Sequence, residues 1–161
     1  GKLVRAKRIY ILGVRSSSFL AGYLNFYFHL IFENVTLVQS AAGEIFDQML
    51  RIGPGDVLLA IGFPRYSKLT MSAVHFARDR GAEVIAITDS KMSPLYTLSV
   101  ASLLVHCEMI SFVDSMAAPV SLLNALIVAV GKQKSAETAE TFAEMERVWS
   151  QYEIFGYEDD E

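Results

Sequence analysis

Short, unbroken apolar runs alternate along this chain with longer segments of mixed character. The runs fall at residues 9–12, 36–38, 57–61, 84–88 and 103–106 and are rich in Val, Ile and Leu. Strands of that kind are buried on both faces, as in a parallel sheet. The remaining pattern predicts helices over residues 17–32, 45–51, 67–80, 115–130 and 137–152. Gly53-Pro54-Gly55-Asp56 is a turn cluster, and Gly81 is placed to cap the helix before it. Strands alternating with helices predict an α/β fold. Right-handed crossovers then give a three-layer α/β/α sandwich. Its sheet is five-stranded, parallel and doubly wound, with the flavodoxin-like order 2-1-3-4-5.

The 161 residues fit one domain, with a core over about 7–131, a C-terminal helix over about 135–152 and a frayed acidic tail at 157–161. Apolar residues make up 52% and charged residues 20%, which argues against disorder. The single cysteine, Cys107, excludes an intrachain disulfide and fits a reducing cytoplasm. Two uncharged runs, 16–32 and 115–131, sit at the short limit for a membrane span. Both carry polar residues, including Asn25, His29 and Asn124, so they read as buried helices and no membrane association is expected. A net charge of −4 lacks the basic surplus of a DNA-binding module. Lys2, Arg5, Lys7 and Arg8 read as a solvated lead-in.

Two strand exits share a pattern. After the first strand come Gly13, Arg15, Ser16 and Ser17; after the third come Gly62, Arg65, Tyr66 and Ser67. Each has a glycine, an arginine and then hydroxyls opening a helix. A helix N-terminus offers free N–H donors to an anion, serine hydroxyls add adjustable donors, and arginine adds charge in a bidentate fork. In the predicted strand order these two loops flank the switch-point crevice, where ligands bind. Ser16 and Ser67 also read as simple helix caps, and the two roles are compatible. At the next strand exit, Thr88 and Asp89 are placed to contact the rest of a ligand, although Asp89 reads equally as a turn residue.

These loops, in this order, resemble the SIS (sugar isomerase) fold of phosphosugar isomerases and phosphosugar-binding regulators. The family's first loop has the form Gly-x-Gly-x-Ser; Gly13-Val14-Arg15-Ser16-Ser17 keeps the serine at Ser17 and has Arg15 for the second glycine. Its second loop reads Ser-x-Ser-Gly-x-Thr, which puts Ser67 on the threonine, Pro64 on the second serine and Gly62 on the first. Two of the three hydroxyls are missing. Phe63-Pro64-Arg65-Tyr66-Ser67 resembles a variant found among RpiR-type regulators. So do Ser111-Phe112-Val113-Asp114-Ser115-Met116-Ala117-Ala118-Pro119, and Thr88-Asp89 followed by Ser93-Pro94-Leu95. The resemblance implies the effector domain of a bacterial transcription regulator that senses a sugar phosphate. DNA would be bound only through an N-terminal helix-turn-helix domain that this sequence does not include.

An aldose–ketose isomerase is the other reading, and it needs a base near the sugar. Glu44, His29, His75 and His106 are the candidates, and none forms an acid–base pair at a recognisable spacing. A nucleotide- or flavin-binding domain is weaker still, because no Gly-x-Gly-x-x-Gly follows the first strand. No metal cluster, P-loop or nucleophile elbow stands out, so neither catalysis nor a cofactor is expected. The helix over 115–130 is apolar nearly all round and the one over 17–32 is unusually aromatic; one sheet face covers only part of such a helix, which predicts a homodimer with one or both helices at the interface.

Overall fold

A computed structural model describes residues 1–39, 45–110 and 112–155. Five parallel strands form the central sheet: β1 (Ile9–Gly13), β2 (Val35–Val38), β3 (Val57–Ile61), β4 (Glu83–Thr88) and β5 (Ala101–Leu104), in the order β2-β1-β3-β4-β5. The strand order is the one the sequence predicts. Ile9 stands opposite Val35 on one side and Val57 on the other, and Gly13 opposite Ile61.

Successive strand residues point to opposite faces. Ile9 and Ile11 therefore join one core, and Tyr10 and Leu12 the other. The first face is covered by α1 (Lys2–Arg5), α2 (Ser17–His29) and α6 (Ala117–Gln133); the second by α3 (Ile45–Gln48), α4 (Lys68–Asp79) and α5 (Pro94–Leu98). The helices that leave β1 and β3 thus lie on opposite faces of neighbouring strands. A two-stranded antiparallel hairpin, β6 (Met109–Ile110) and β7 (Val113–Asp114), follows the sheet, and α7 (Ser135–Gln151) packs outside on α6.

Several sequence expectations shift. The lead-in is a short helix whose Leu3 is buried, and two of its four charges are engaged: Lys2 pairs with Glu83 at 2.8 Å, and Arg8 forks onto the buried Asp56 at 2.8 and 3.1 Å, while Arg5 and Lys7 are exposed. The first long helix stops at His29, because Ile31 and Phe32 turn into the core as an irregular segment. The last strand begins earlier, at Ala101. Besides α1, two elements, α5 and the hairpin, have no counterpart in the sequence pattern. Within one chain α2 and α6 are covered only in part. Val128 of α6 is 55% exposed and Phe19 of α2 is 80% exposed, because the sheet covers only one side of each helix. Among the described residues no helix is long and apolar enough to cross a membrane. The acidic tail, Glu44 and Ser111 lie outside the described residues.

Candidate functional site

The crevice between β1 and β3 opens where their outgoing loops diverge. Helix α2 begins directly over the end of β1: a Cβ on Gly13 would lie 2.2 Å from the Ser17 carbonyl oxygen. Only glycine permits that approach. It sets the first turn of α2 against the crevice, and β3 sets Ser67, at the start of α4, across from it.

Together these loops line a cavity of about 320 Å³. Arg15, Ser16, Ser17, Arg65 and Ser67 all contribute to it, as the sequence predicts, and Thr70 and Asp114 join them. Val14, Ile61, Gly62, Phe63 and Pro64 complete its walls. Both arginines adopt a left-handed backbone, with φ 58° at Arg15 and 64° at Arg65. Among the described residues only Glu153 and two glycines share a positive φ. A side chain in that region costs roughly 1–2 kcal/mol. Arg15 replaces the second glycine of the first motif, and counting along the second motif puts Arg65 on its glycine as well. At both places a backbone conformation that glycine adopts freely is held by an arginine, at a cost in strain.

The hydroxyls divide into three kinds. Ser67 Oγ accepts from Leu69 N at 3.2 Å, so it caps α4 and keeps its own proton for another acceptor. Ser16 makes no capping bond; its Oγ donates to Asp114 Oδ2 at 2.7 Å. Ser17 and Thr70, only 6% and 3% exposed, make no side-chain hydrogen bond among the described residues. Buried hydroxyls are normally satisfied, and these two have only the cavity to turn to. Neither Arg15 nor Arg65 forms an ion pair among the described residues. Where the motif has its first serine, a Cβ on Gly62 would lie 2.6 Å from Leu95 Cδ1, so a serine there would require the Leu95 side chain to shift.

The remaining predicted residues stand apart from this cavity. Gly13 acts through the close approach just described. Thr88 is fully buried and spends its one proton between Ser93 Oγ at 2.7 Å and Asp89 Oδ1 at 3.2 Å. Tyr66 Oη donates to the same Asp89 oxygen. Burial alone would raise the Asp89 pKa, but hydrogen bonds from Tyr66, its own backbone N–H, Thr88 and Ser90 outweigh it and hold the carboxyl below the usual range. Burial, and then the bond to Asp89, push Tyr66 up.

Asp89 borders a second cavity, of about 420 Å³, together with His106, Cys107 and Glu108. Phe63, Pro64, Arg65 and Asp114 line both cavities, so the two adjoin. His106 Nε2 stands 3.8 Å from Glu108 Oε2. His29 and His75 line neither cavity. Among the described residues no group of three metal-ligating side chains is placed to hold an ion.

Sequence reasoning gave no role to Thr70 or Asp114. Thr70 lies three residues after Ser67, hence on the same face one turn on, and that spacing was readable. Asp114 reaches the cavity because the hairpin folds back, and no periodicity announces that.

Residues 2–129 match the family model of the SIS domain. The chain belongs to the SIS-domain family. No curated protein matches its sequence. Among solved structures, the sugar isomerase domain of the RpiR transcription factor of Sphaerobacter thermophilus superposes with a TM-score of 0.81 at 19% identity, over 91% of this chain and 82% of that one. The NanR protein of Vibrio vulnificus, complexed with ManNAc-6P, gives 0.77 at 19% identity over 94% of this chain. This SIS domain spans only 58% of that NanR chain. A Methanococcus jannaschii protein, whose structure was taken to infer a 3-hexulose-6-phosphate isomerase, gives 0.67 at 15% identity, over 87% and 79% of the two chains. At these identities the likeness is one of fold, shared by regulators and isomerases alike.

Proposed function

We propose that this SIS domain is the effector-binding part of a bacterial transcription regulator, that it senses a sugar phosphate, and that it is not a catalyst. The observation that carries the reading is the set of unengaged groups around one cavity. Among the described residues, two arginines without ion pairs face the same space as the hydroxyls of Ser17 and Thr70, which have no hydrogen-bond partner, at the N-terminal ends of two helices. Such a set suits a phosphate ester. The fold shared with RpiR and NanR supports a regulatory role. In this reading the protein is cytoplasmic and homodimeric, the uncovered sides of α2 and α6 meet a second copy, and DNA is reached through a separate domain.

A ligand biases such an assembly only through its different affinity for two arrangements, and coupling of that kind is typically worth about 1–3 kcal/mol. The test pairs operator binding by the whole regulator, with and without sugar phosphate, with a turnover assay on this chain. A change of about 5–150-fold in operator affinity without turnover is expected.

The isomerase reading is kept alive by one observation: Asp114, His106 and Glu108 adjoin the candidate phosphate site. Interconversion of an aldose and a ketose phosphate, lost in Asp114→Asn or His106→Asn, would replace the sensor with an enzyme.

A further inference from the structure

The two adjoining cavities carry opposite charge. The first holds Arg15 and Arg65 against one carboxylate, Asp114. The second holds Asp89, Glu108 and Asp114 against one guanidinium, Arg65. Asp114 and Arg65 stand at the junction, and Asp114 is held there by the Ser16 hydroxyl at 2.7 Å. A ligand whose phosphate reaches Ser17 and Thr70 therefore extends its other end past Asp114 toward carboxylates, which accept hydrogen bonds and donate none. The buried, unpartnered hydroxyls of Ser17 and Thr70 fix which end takes the phosphate.

We infer that the ligand is a phosphate ester whose far end presents hydrogen-bond donors and no second negative charge: a phosphorylated amino sugar before an uncharged phosphosugar, and either before a phosphorylated sugar acid, with Asp114 as the specificity-determining residue. The inference rests on the phosphosugar reading and narrows it. The physical basis is discrimination by repulsion. A site separates similar ligands as much by the charge it opposes as by the contacts it makes. A carboxylate on the ligand would meet Asp114 and then Asp89, whose own bonds keep it ionised and oriented. An ammonium at the same place would meet acceptors whose cationic neighbours, among the described lining residues, are Arg65 and, when protonated, His106.

Calorimetric titration of the chain with inorganic phosphate, glucose 6-phosphate, glucosamine 6-phosphate and 6-phosphogluconate tests this. Glucosamine 6-phosphate is expected to bind tightest. The gluconate is expected to bind about fivefold weaker, the upper end of the range for a solvent-accessible charge pair. Asp114→Asn keeps an acceptor for Ser16 and removes the charge, so it should draw the three sugar phosphates together while leaving inorganic phosphate no weaker. Gluconate binding as tightly as the amine, or an unchanged order in Asp114→Asn, overturns the inference and leaves the phosphosugar reading standing. Binding of phosphate with no gain from any sugar also overturns it. Failure of all four probes removes the phosphosugar reading and the inference with it.

Discussion

Arg15 and Arg65 occupy matching places in two separate loops, and both hold a left-handed backbone, at φ 58° and 64°. Strain of this type persists where the surrounding structure over-determines it, and it clusters at functional sites. Arg15→Gly and Arg65→Gly separate the two roles. Each relieves roughly 1–2 kcal/mol of backbone cost and returns roughly 0.5–1 kcal/mol through the freer unfolded chain. Thermal denaturation should show stability unchanged or slightly raised. Calorimetry should show sugar-phosphate affinity falling by about tenfold to a hundredfold, the range for a lost charge-assisted hydrogen bond. A fall in stability with affinity intact would mean the arginines are structural.

Ser17, Thr70 and Ser67 should respond differently to alanine. The first two have no side-chain hydrogen bond to lose among the described residues, so Ser17→Ala should leave stability nearly unchanged, and Thr70→Ala should cost only the buried methyl it deletes, about 0.8 kcal/mol. Each should weaken phosphate binding by about 0.5–1.5 kcal/mol. Ser67→Ala also removes the cap on Leu69 N and should destabilise the fold by about 0.5–2 kcal/mol. Chemical denaturation and calorimetry on the three variants together distinguish the patterns.

The Tyr66–Asp89 bond gives a pH dependence of known sign. The folded-state pKa of Asp89 lies below its ordinary value of about 3.9. The unfolded chain therefore takes up a proton first as pH falls. The stabilisation is fully present above about pH 4 and is lost as pH drops through the folded value. Tyr66→Phe removes the largest of the bonds that depress Asp89. Urea midpoints should show wild type and Tyr66→Phe separated at neutral pH and converging in acid. Divergence in acid would contradict this account.

Cys107 should be a slow thiol. Burial first, and then the negative charges of Asp114 and Asp89, push its pKa up. The thiolate is the reactive form, so labelling of the native protein near neutral pH should lag far behind that of the denatured chain. Asp114→Asn removes one of those charges and should speed labelling. Equal rates in native and denatured protein would show that the second cavity opens freely.

Much of this fold is legible in the sequence because a doubly wound sheet announces itself. Residues 57–61 read as an apolar run with turn residues on both sides, and β3 is Val57–Ile61. Edges are less clear. Val105 N still bonds Thr88 O beyond the end of β5, so the predicted strand over 103–106 overlaps a real ladder with soft bounds. The two-residue strands of the hairpin are too short to show a period at all, so the segment that contains Asp114 is recognisable while its place at the cavity is not. The candidate cavity is legible where chemistry repeats, since residues of both Gly-to-Ser exits line it. It was not legible for Thr88 and Asp89: hydroxyl and carboxylate types do not reveal whether their bonds are spent on Tyr66 and Ser93.

Helix α7 has no buried side chain, while Phe142, Val148 and Tyr152 are exposed. A helix of this size is marginal in water without packing, and α6 gives it only one flank. Its amides should therefore exchange with solvent through local opening, well ahead of the strand amides, which wait for global unfolding. If a second copy covers its outer side, protection of α7 becomes a property of protein concentration. Dilution would then loosen the C-terminal helix while the sheet stays closed.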